Sequence, residues 1–194
     1  MADGRRRLER ADYRDRSVAP GSEEKLLDAV AKSAYDNDRA YEGCCRCVVA
    51  ALNEHLHLLD DRGIASVIKA STALSAGVAR KGEVCGALLG GIMALNLVIG
   101  SETVQDVDGY ARGMSWAARL YDRFESHFGS VRCFEIQEGR LGRTYDFWDS
   151  EEVEIWYRDG GLHECPMVCG EAARMAAEMI LSARQGQEGE EQQI

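Results

Sequence analysis

The sequence lacks the long apolar runs that a secretory leader or a membrane span requires. No apolar stretch follows the charged N-terminus within the first 20 residues, which excludes a secretory signal. The longest apolar run, residues 84–99, is shorter than the roughly 20 residues of a membrane-spanning helix and is interrupted by glycine. We therefore expect a soluble, cytoplasmic protein without a membrane span.

Positive charge and recognisable catalytic motifs are also missing. The 194 residues carry a formal net charge of −10, so no basic stripe is available for phosphates, and we expect no nucleic-acid partner. The sequence has no Ser-His-Asp or phosphate-loop signature, and no Cys-x-x-Cys-His segment for covalent haem attachment. These absences leave the cysteines as the residues most able to carry chemistry.

Proline is scarce as well, with two in the chain, and apolar residues between positions 22 and 184 recur mostly at helical spacing. Helices are predicted to begin near residues 22, 44, 63, 84, 103 and 165, and the third is predicted to continue to Ala79. Between residues 134 and 164 the pattern changes, because residues 152–158 alternate and Asp159-Gly160-Gly161 follows as a turn signal. We predict an all-α bundle of about five to six helices, with a small hairpin or ordered loop excursion before the last helix.

The two ends of the chain differ from this helical segment in composition. Residues 1–21 mix arginines with acidic residues before a break at Pro20, and we interpret them as a flexible arm. Residues 185–194 are acidic and carry almost no apolar side chains, which predicts a disordered tail. The prediction is a single helical domain over residues 22–184, into which residues 134–164 are inserted as a loop or hairpin.

Cysteine is the residue type that is unexpectedly abundant, with seven in the chain. They are Cys44, Cys45, Cys47, Cys85, Cys133, Cys165 and Cys169. In a reducing compartment, clustered cysteines bind metals or act in redox reactions more often than they form structural disulfides. The odd number also argues against a fully paired disulfide framework. The alternative is that these thiols fill the core as small hydrophobic side chains.

Three of the cysteines stand at predicted helix N-termini, namely Cys44, Cys85 and Cys165, and Cys133 is expected in a loop. Unpaired N–H groups at a helix start lower the pKa of a thiol and stabilise the thiolate. Such an arrangement suits a group of thiolates whose negative charge the helix ends offset.

Glycines are concentrated directly after Cys85. Gly86 and Gly90 lie four residues apart and therefore share one face of the predicted helix. Glycine inside a helix costs about 1 kcal/mol relative to alanine, so a compensating reason is expected. A face without side chains lets another backbone or a bulky cofactor approach closely. Tight helix packing, with Cys85 as filler, is the alternative interpretation.

The segment Cys85-Gly86-Ala87-Leu88-Leu89-Gly90 carries a resemblance to a known family. Over roughly residues 25–183, the chain resembles the C-GCAxxG-C-C family of redox-active proteins, which have one early cysteine, this central motif and two later cysteines. The resemblance places the four cysteines at Cys44, Cys85, Cys133 and Cys165. It implies that these thiols converge on one site, that Gly86, Ala87 and Gly90 give close packing there, and that an iron–sulfur cluster transfers electrons.

The chain departs from the family pattern in ways that leave alternatives open. Cys45, Cys47 and Cys169 are extra, so the first ligand is Cys44 or Cys47, and Cys169 is a possible additional ligand. His163, two residues before a family cysteine, is the best non-cysteine candidate. The segment from residue 139 to 163 is longer than the family's usual link, and the N-terminal arm is additional.

Three other functions remain open at the level of sequence. In a metal-free thiol–disulfide oxidoreductase, Cys85 would be a low-pKa thiolate and Cys44 or Cys165 its partner. A closed four-cysteine zinc site would make the chain a structural or interaction subunit of a larger complex, and cysteines that only fill the core would give an interaction subunit without metal. We expect an electron carrier or accessory protein rather than a stand-alone catalyst, a redox protein partner, and a possible homo-oligomer formed through the glycine faces.

Overall fold

The computed structural model describes the backbone of residues 21–191 and the side chains of residues 21–186. Within this range the chain forms eight α-helices and no strand. They are α1 (Ser22–Tyr41), α2 (Cys44–Leu56), α3 (Asp61–Ser71), α4 (Gly86–Ile99), α5 (Val107–Phe128), α6 (Cys133–Leu141), α7 (Ser150–Arg158) and α8 (Gly161–Glu191). The predicted all-α fold is confirmed, with more helices than the five to six predicted. The predicted arm lies outside the described residues except for Gly21.

Helices α1, α2, α4 and α8 form the centre of the bundle, and α5 packs on the outer side of α4. Helix α4 is apolar almost all round and is buried accordingly, as its sequence predicts. A Cβ built on Gly90 would lie 2.5 Å from the carbonyl oxygen of Cys45. The missing side chain therefore allows the backbones of α4 and α2 to approach each other closely. No helix in residues 21–191 combines the length and apolar character needed to cross a membrane.

The hairpin or loop predicted within residues 134–164 is wrong, because this segment forms α6 and α7. The side chain of Asp149 accepts a hydrogen bond from the Glu151 N–H at 2.8 Å and so caps α7 at its start. The alternation of residues 152–158 is also compatible with a short helix that buries chiefly Trp156. The turn signal joins α7 to α8 rather than two strands.

Two helix ends also differ from the predictions. The third helix was expected to continue to Ala79, but α3 ends at Ser71 and a single 3₁₀ turn follows. Helix α8 continues through residue 191, so most of the predicted disordered tail extends this helix. The last three residues lie outside the described range.

A left-handed turn replaces the expected end of the third helix. The five consecutive residues 76–80 all have positive φ, between 50° and 67°. Only glycine adopts this conformation without a steric penalty, and of these five residues only Gly77 is glycine. The turn is closed by backbone hydrogen bonds, among them Ala79 N–H to the Ala73 carbonyl at 2.7 Å and Glu83 N–H to the Gly77 carbonyl at 3.0 Å. These bonds hold a strained segment against the cavity described next.

Candidate thiol site

A short backbone pairing places the starts of α4 and α6 side by side. The two segments that precede these helices form an isolated antiparallel bridge. The Cys85 N–H donates to the Val131 carbonyl at 2.8 Å, and the Cys133 N–H donates to the Glu83 carbonyl at 2.7 Å. Cys85 caps α4 and Cys133 is the first residue of α6, so the predicted loop position of Cys133 is wrong. The bridge brings two chain-distant cysteines to one place.

Five of the seven cysteines line one cavity of about 840 Å³. They are Cys44, Cys85, Cys133, Cys165 and Cys169. All seven cysteines are free thiols. Four chain-distant thiols that the sequence singled out therefore face a common space, together with one extra thiol.

Cys45 and Cys47, the two extra cysteines of α2, lie outside the cavity. The Cys47 thiol donates a hydrogen bond to the Glu42 carbonyl at 3.2 Å, and Cys45 contacts the Met93 sulfur at 3.8 Å. Both side chains are buried in the bundle and neither lines the cavity. Of the two alternatives left open for the first position, the structure places Cys44 on the cavity wall.

Three helix N-termini meet at this cavity. Cys44 is the first residue of α2, and Cys85 and Cys133 stand at the starts of α4 and α6. The predicted position of Cys165 at a helix start is wrong, because α8 begins at Gly161 and Cys165 lies in its second turn. Each helix start presents partial positive charge, which stabilises anions nearby. The shared orientation of these helices favours a group of thiolates at this point.

Three of the thiols also have individual N–H donors. The backbone N–H groups of Ala87 and Leu88 lower the pKa of Cys85, and the N–H of Ala76 in the left-handed turn lowers that of Cys44. The Gln137 side chain donates from Nε2 to the Cys133 sulfur at 3.3 Å. Hydrogen bonds of this kind stabilise a sulfur that carries negative charge.

Burial nevertheless has the larger effect on every thiol of the cavity. It raises the pKa of Cys85 to about 11 and holds the pKa values of Cys44, Cys133 and Cys165 well above the ordinary thiol value. The proximity of other thiols adds to this shift, with Cys85 acting on Cys44 and on Cys133. The expectation that Cys85 is a low-pKa thiolate is therefore wrong for the protein without a bound cation.

A buried carboxyl group accompanies the fifth thiol. Asp38 lines the cavity and is 5% exposed, and burial raises its pKa to about 6 although the Cys169 thiol hydrogen-bonds to it. Asp38 was not among the site residues predicted from the sequence. The signal was present, because Asp38 continues the helical spacing of Leu27, Val30 and Ala34, which form the buried stripe of α1.

His163 does not join the thiols. Its ring Nδ1 lies 3.1 Å from the Tyr35 hydroxyl oxygen, its side chain is exposed, and it does not line the cavity. The predicted role of His163 as an additional ligand has no support in this arrangement.

The cysteines that line the cavity are of the residue type that binds a metal through thiolate sulfurs. As the side chains stand, no three His, Cys, Asp or Glu residues in the described part of the chain are close enough to share one ion. A cysteine sulfur moves by several ångström when χ1 changes from one staggered rotamer to another, without a change in the backbone. Gly86 contributes to the space available, since a Cβ at this position would overlap the Cys44 sulfur.

Comparison with known proteins gives one match. A family model described as "Putative redox-active protein (C_GCAxxG_C_C)" matches residues 42–179. No curated protein and no solved structure matches the chain. The matched range contains all seven cysteines. The chain therefore belongs to the C-GCAxxG-C-C family of redox-active proteins.

Proposed function

We propose that Cys44, Cys85, Cys133 and Cys165 together hold an iron–sulfur cluster and that the protein carries electrons. The observation that supports this proposal is that four thiols from four different helices line one cavity, three of them, Cys44, Cys85 and Cys133, at helix starts. Four cysteine thiolates are the usual ligand set of such a cluster. When bound, the cluster would supply one-electron transfer.

The surroundings of the thiols suit this role. The positive ends of three helices and the N–H groups of Ala76, Ala87 and Leu88 would offset the negative charge of the thiolates. Hydrogen bonds to cluster sulfurs and burial are two of the properties through which a protein tunes the potential of such a centre. Gln137, with its Nε2 on the Cys133 sulfur, is the side chain best placed to contribute to this tuning.

The metal-free alternative is less well supported. A nucleophilic thiol needs a pKa near or below the ambient pH, but burial raises the pKa of Cys85 to about 11. A closed zinc site would use the same four thiols, so metal analysis distinguishes the two. As an electron carrier in a reducing compartment such as the cytoplasm, the protein would exchange electrons with another redox protein or within a larger complex.

The test is anaerobic purification of the full chain, with and without reconstitution by iron and sulfide. We expect visible absorption from sulfur-to-iron charge transfer, iron and acid-labile sulfide in similar amounts, and bleaching of this absorption by a one-electron reductant. A colourless protein that binds stoichiometric zinc, or one that binds no metal after reconstitution, would contradict the proposal.

A further inference from the structure

The cavity is larger than four thiols and a metal centre require. Its volume is about 840 Å³. A sphere of about 4 Å radius, which encloses a small metal–thiolate group, fills roughly 270 Å³. The total lies within the range of about 300–1,000 Å³ that is typical of sites for small organic molecules. The dimensions therefore allow an organic ligand beside the thiols.

Aromatic side chains form the wall of the cavity opposite the bundle. Four of them come from α7 and the segment just before it, namely Phe147, Trp148, Trp156 and Tyr157. The rings of Phe147 and Trp156 pack edge to face with centroids 5.4 Å apart. We call these four residues the aromatic wall. Flat apolar surfaces of this kind bind planar rings.

The aromatic wall is fixed to the rest of the protein at several points. Trp156 lies directly on the backbone of Gly161, where any Cβ would overlap its indole ring. The Tyr157 hydroxyl donates to Glu42 Oε1 at 2.7 Å, and a guanidinium N–H of Arg80 donates to the Phe147 carbonyl. The wall is thus part of a preformed cavity rather than an isolated surface.

Buried polar atoms of three residues that line the cavity lack hydrogen-bond partners within the described chain. Gln137 is 3% exposed and Trp156 is 6% exposed, yet Gln137 Oε1 and Trp156 Nε1 are both unpartnered. Ser75 Oγ, on a third residue that lines the cavity, is also unpartnered. Buried polar groups in proteins are almost always hydrogen-bonded, so one acceptor, one donor and one hydroxyl are offered to a polar ligand.

Two guanidinium groups line the cavity, those of Arg46 and Arg80. Among the described residues, Arg46 donates to the Glu42 and Tyr41 carbonyls, and Arg80 donates to the Phe147 carbonyl while its guanidinium lies 5.0 Å from the Trp148 ring centroid. Neither forms an ion pair among the residues whose side chains are described. Arginine prefers planar anions such as carboxylates, which it can bind with two parallel hydrogen bonds.

We infer that the α7 side of this cavity binds a small planar aromatic acid that carries a hydroxyl group. Its ring lies against the aromatic wall, its hydroxyl donates to Gln137 Oε1, and its acidic group accepts from Trp156 Nε1–H and the Arg80 guanidinium. The inference goes beyond the proposed electron-carrier function and does not depend on which metal the thiols hold.

Calorimetric titration of the full-length, reduced protein with a matched set of probes tests each recognition feature separately. Hydroxynaphthoate is the reference ligand, hydroxynaphthamide lacks its charge, naphthoate lacks its hydroxyl, and cyclohexanecarboxylate lacks its aromatic ring. We expect saturable binding of hydroxynaphthoate and about tenfold weaker binding of each of the other three. No saturable binding of hydroxynaphthoate, or equal affinity for cyclohexanecarboxylate, would overturn the inference.

Variants then locate the site. Trp156→Phe keeps a ring but removes the N–H donor, and Arg80→Gln removes one guanidinium; each is expected to weaken hydroxynaphthoate binding about tenfold. Arg119→Gln is the matched control, because Arg119 also stacks on a tryptophan, Trp116, with its guanidinium 4.5 Å from the ring centroid, but does not line the cavity. Equal affinities of the Arg80 and Arg119 variants would show that the ligand binds elsewhere and the inference is wrong.

Iron content, measured on the same samples, keeps this test separate from that of the proposed function. A protein that binds iron but not the aromatic acid disproves only the ligand site. A protein that binds the acid without iron disproves only the cluster.

Discussion

Cys44 and Cys45 are neighbours in the chain but belong to two different regions of the molecule. Cys44 faces the cavity together with thiols from three other helices, whereas Cys45 is fully buried in the bundle core. The Cys45 sulfur contacts Met93, and nothing about its surroundings differs from those of a small hydrophobic residue. The comparison teaches that the abundance of cysteine does not by itself define the site. The helix end and the neighbouring thiols do.

The same contrast applies to the two glycines of α4. The missing side chain of Gly86 makes room for the Cys44 sulfur on the cavity wall, whereas that of Gly90 makes room for the backbone of α2 in the core. Glycine therefore has two roles on one helix face. One positions a thiol, and the other lets two helices pack closely.

Among the predictions that distinguish the cysteines of the cavity wall from those of the bundle core, the pH dependence of metal binding should show the largest effect. Because burial holds the pKa values of Cys44, Cys85, Cys133 and Cys165 well above neutrality, bound metal must displace their protons. The apparent affinity should rise with pH, by roughly tenfold per pH unit for each proton released. Competition with a chelator of known affinity at pH 6.5, 7.5 and 8.5 measures this. An affinity independent of pH would show that the thiols are already ionised.

A smaller effect is expected from alanine at the two glycines. In Gly86→Ala the new methyl group overlaps the Cys44 sulfur and lies 2.8 Å from the Leu74 carbonyl oxygen; in Gly90→Ala it lies 2.5 Å from the Cys45 carbonyl oxygen. Each change should lower the free energy of unfolding by about 3 kcal/mol through overpacking. Iron per folded chain should fall only in Gly86→Ala. Urea unfolding and an iron assay measure both quantities, and equal iron in the two variants would contradict the role given to Gly86.

Asp38 provides the third comparison, since it lies between the core and the cavity. Its folded pKa of about 6 is above the unfolded value near 3.8, so its neutral form stabilises the fold below pH 4, and this contribution is lost as pH rises through 6. At pH 8, Asp38→Asn should be more stable than the wild type, by up to about 3 kcal/mol. The difference should shrink toward pH 4.

Asp36→Asn is the matched control for this prediction. Asp36 is on the same helix, is exposed and pairs with Lys32, so its replacement should change stability by about 0.5 kcal/mol or less. Thermal unfolding of the reduced protein from pH 4 to pH 8 measures both variants. If the stability difference between the wild type and Asp38→Asn did not change between pH 4 and pH 8, burial would not raise the pKa of Asp38 in the folded protein.

Much of the site could be predicted from the sequence because its parts are local. A cysteine before a glycine-rich apolar helix, or one after a glycine break, marks a helix start without knowledge of the fold. The orientation of a side chain on that helix is a tertiary property. Spacing alone could not decide between Cys44 and Cys47, which differ in the structure because only Cys44 points at the other thiols.

The structural features that could not be predicted from the sequence were missed for similar physical reasons. The alternating segment 152–158 is short enough to satisfy either a strand or a helix period, and packing of Trp156 against Gly161 belongs to the helix. The left-handed turn over residues 76–80 contains one glycine, so its positive φ angles arise from the surrounding structure and not from local preference. The helical spacing of α1 predicts that Asp38 is buried. The sequence does not predict that its carboxyl group meets the Cys169 thiol, because this contact depends on the tertiary structure.

The most direct test of the account is the iron content of two adjacent serine variants, Cys44→Ser and Cys45→Ser, reconstituted anaerobically in parallel. We predict that Cys44→Ser loses most of its iron and visible absorption while Cys45→Ser retains both, because only the first removes a sulfur from the cavity wall. Equal retention in both variants, or loss in Cys45→Ser alone, would contradict the claim that the four thiols of the cavity wall form the centre.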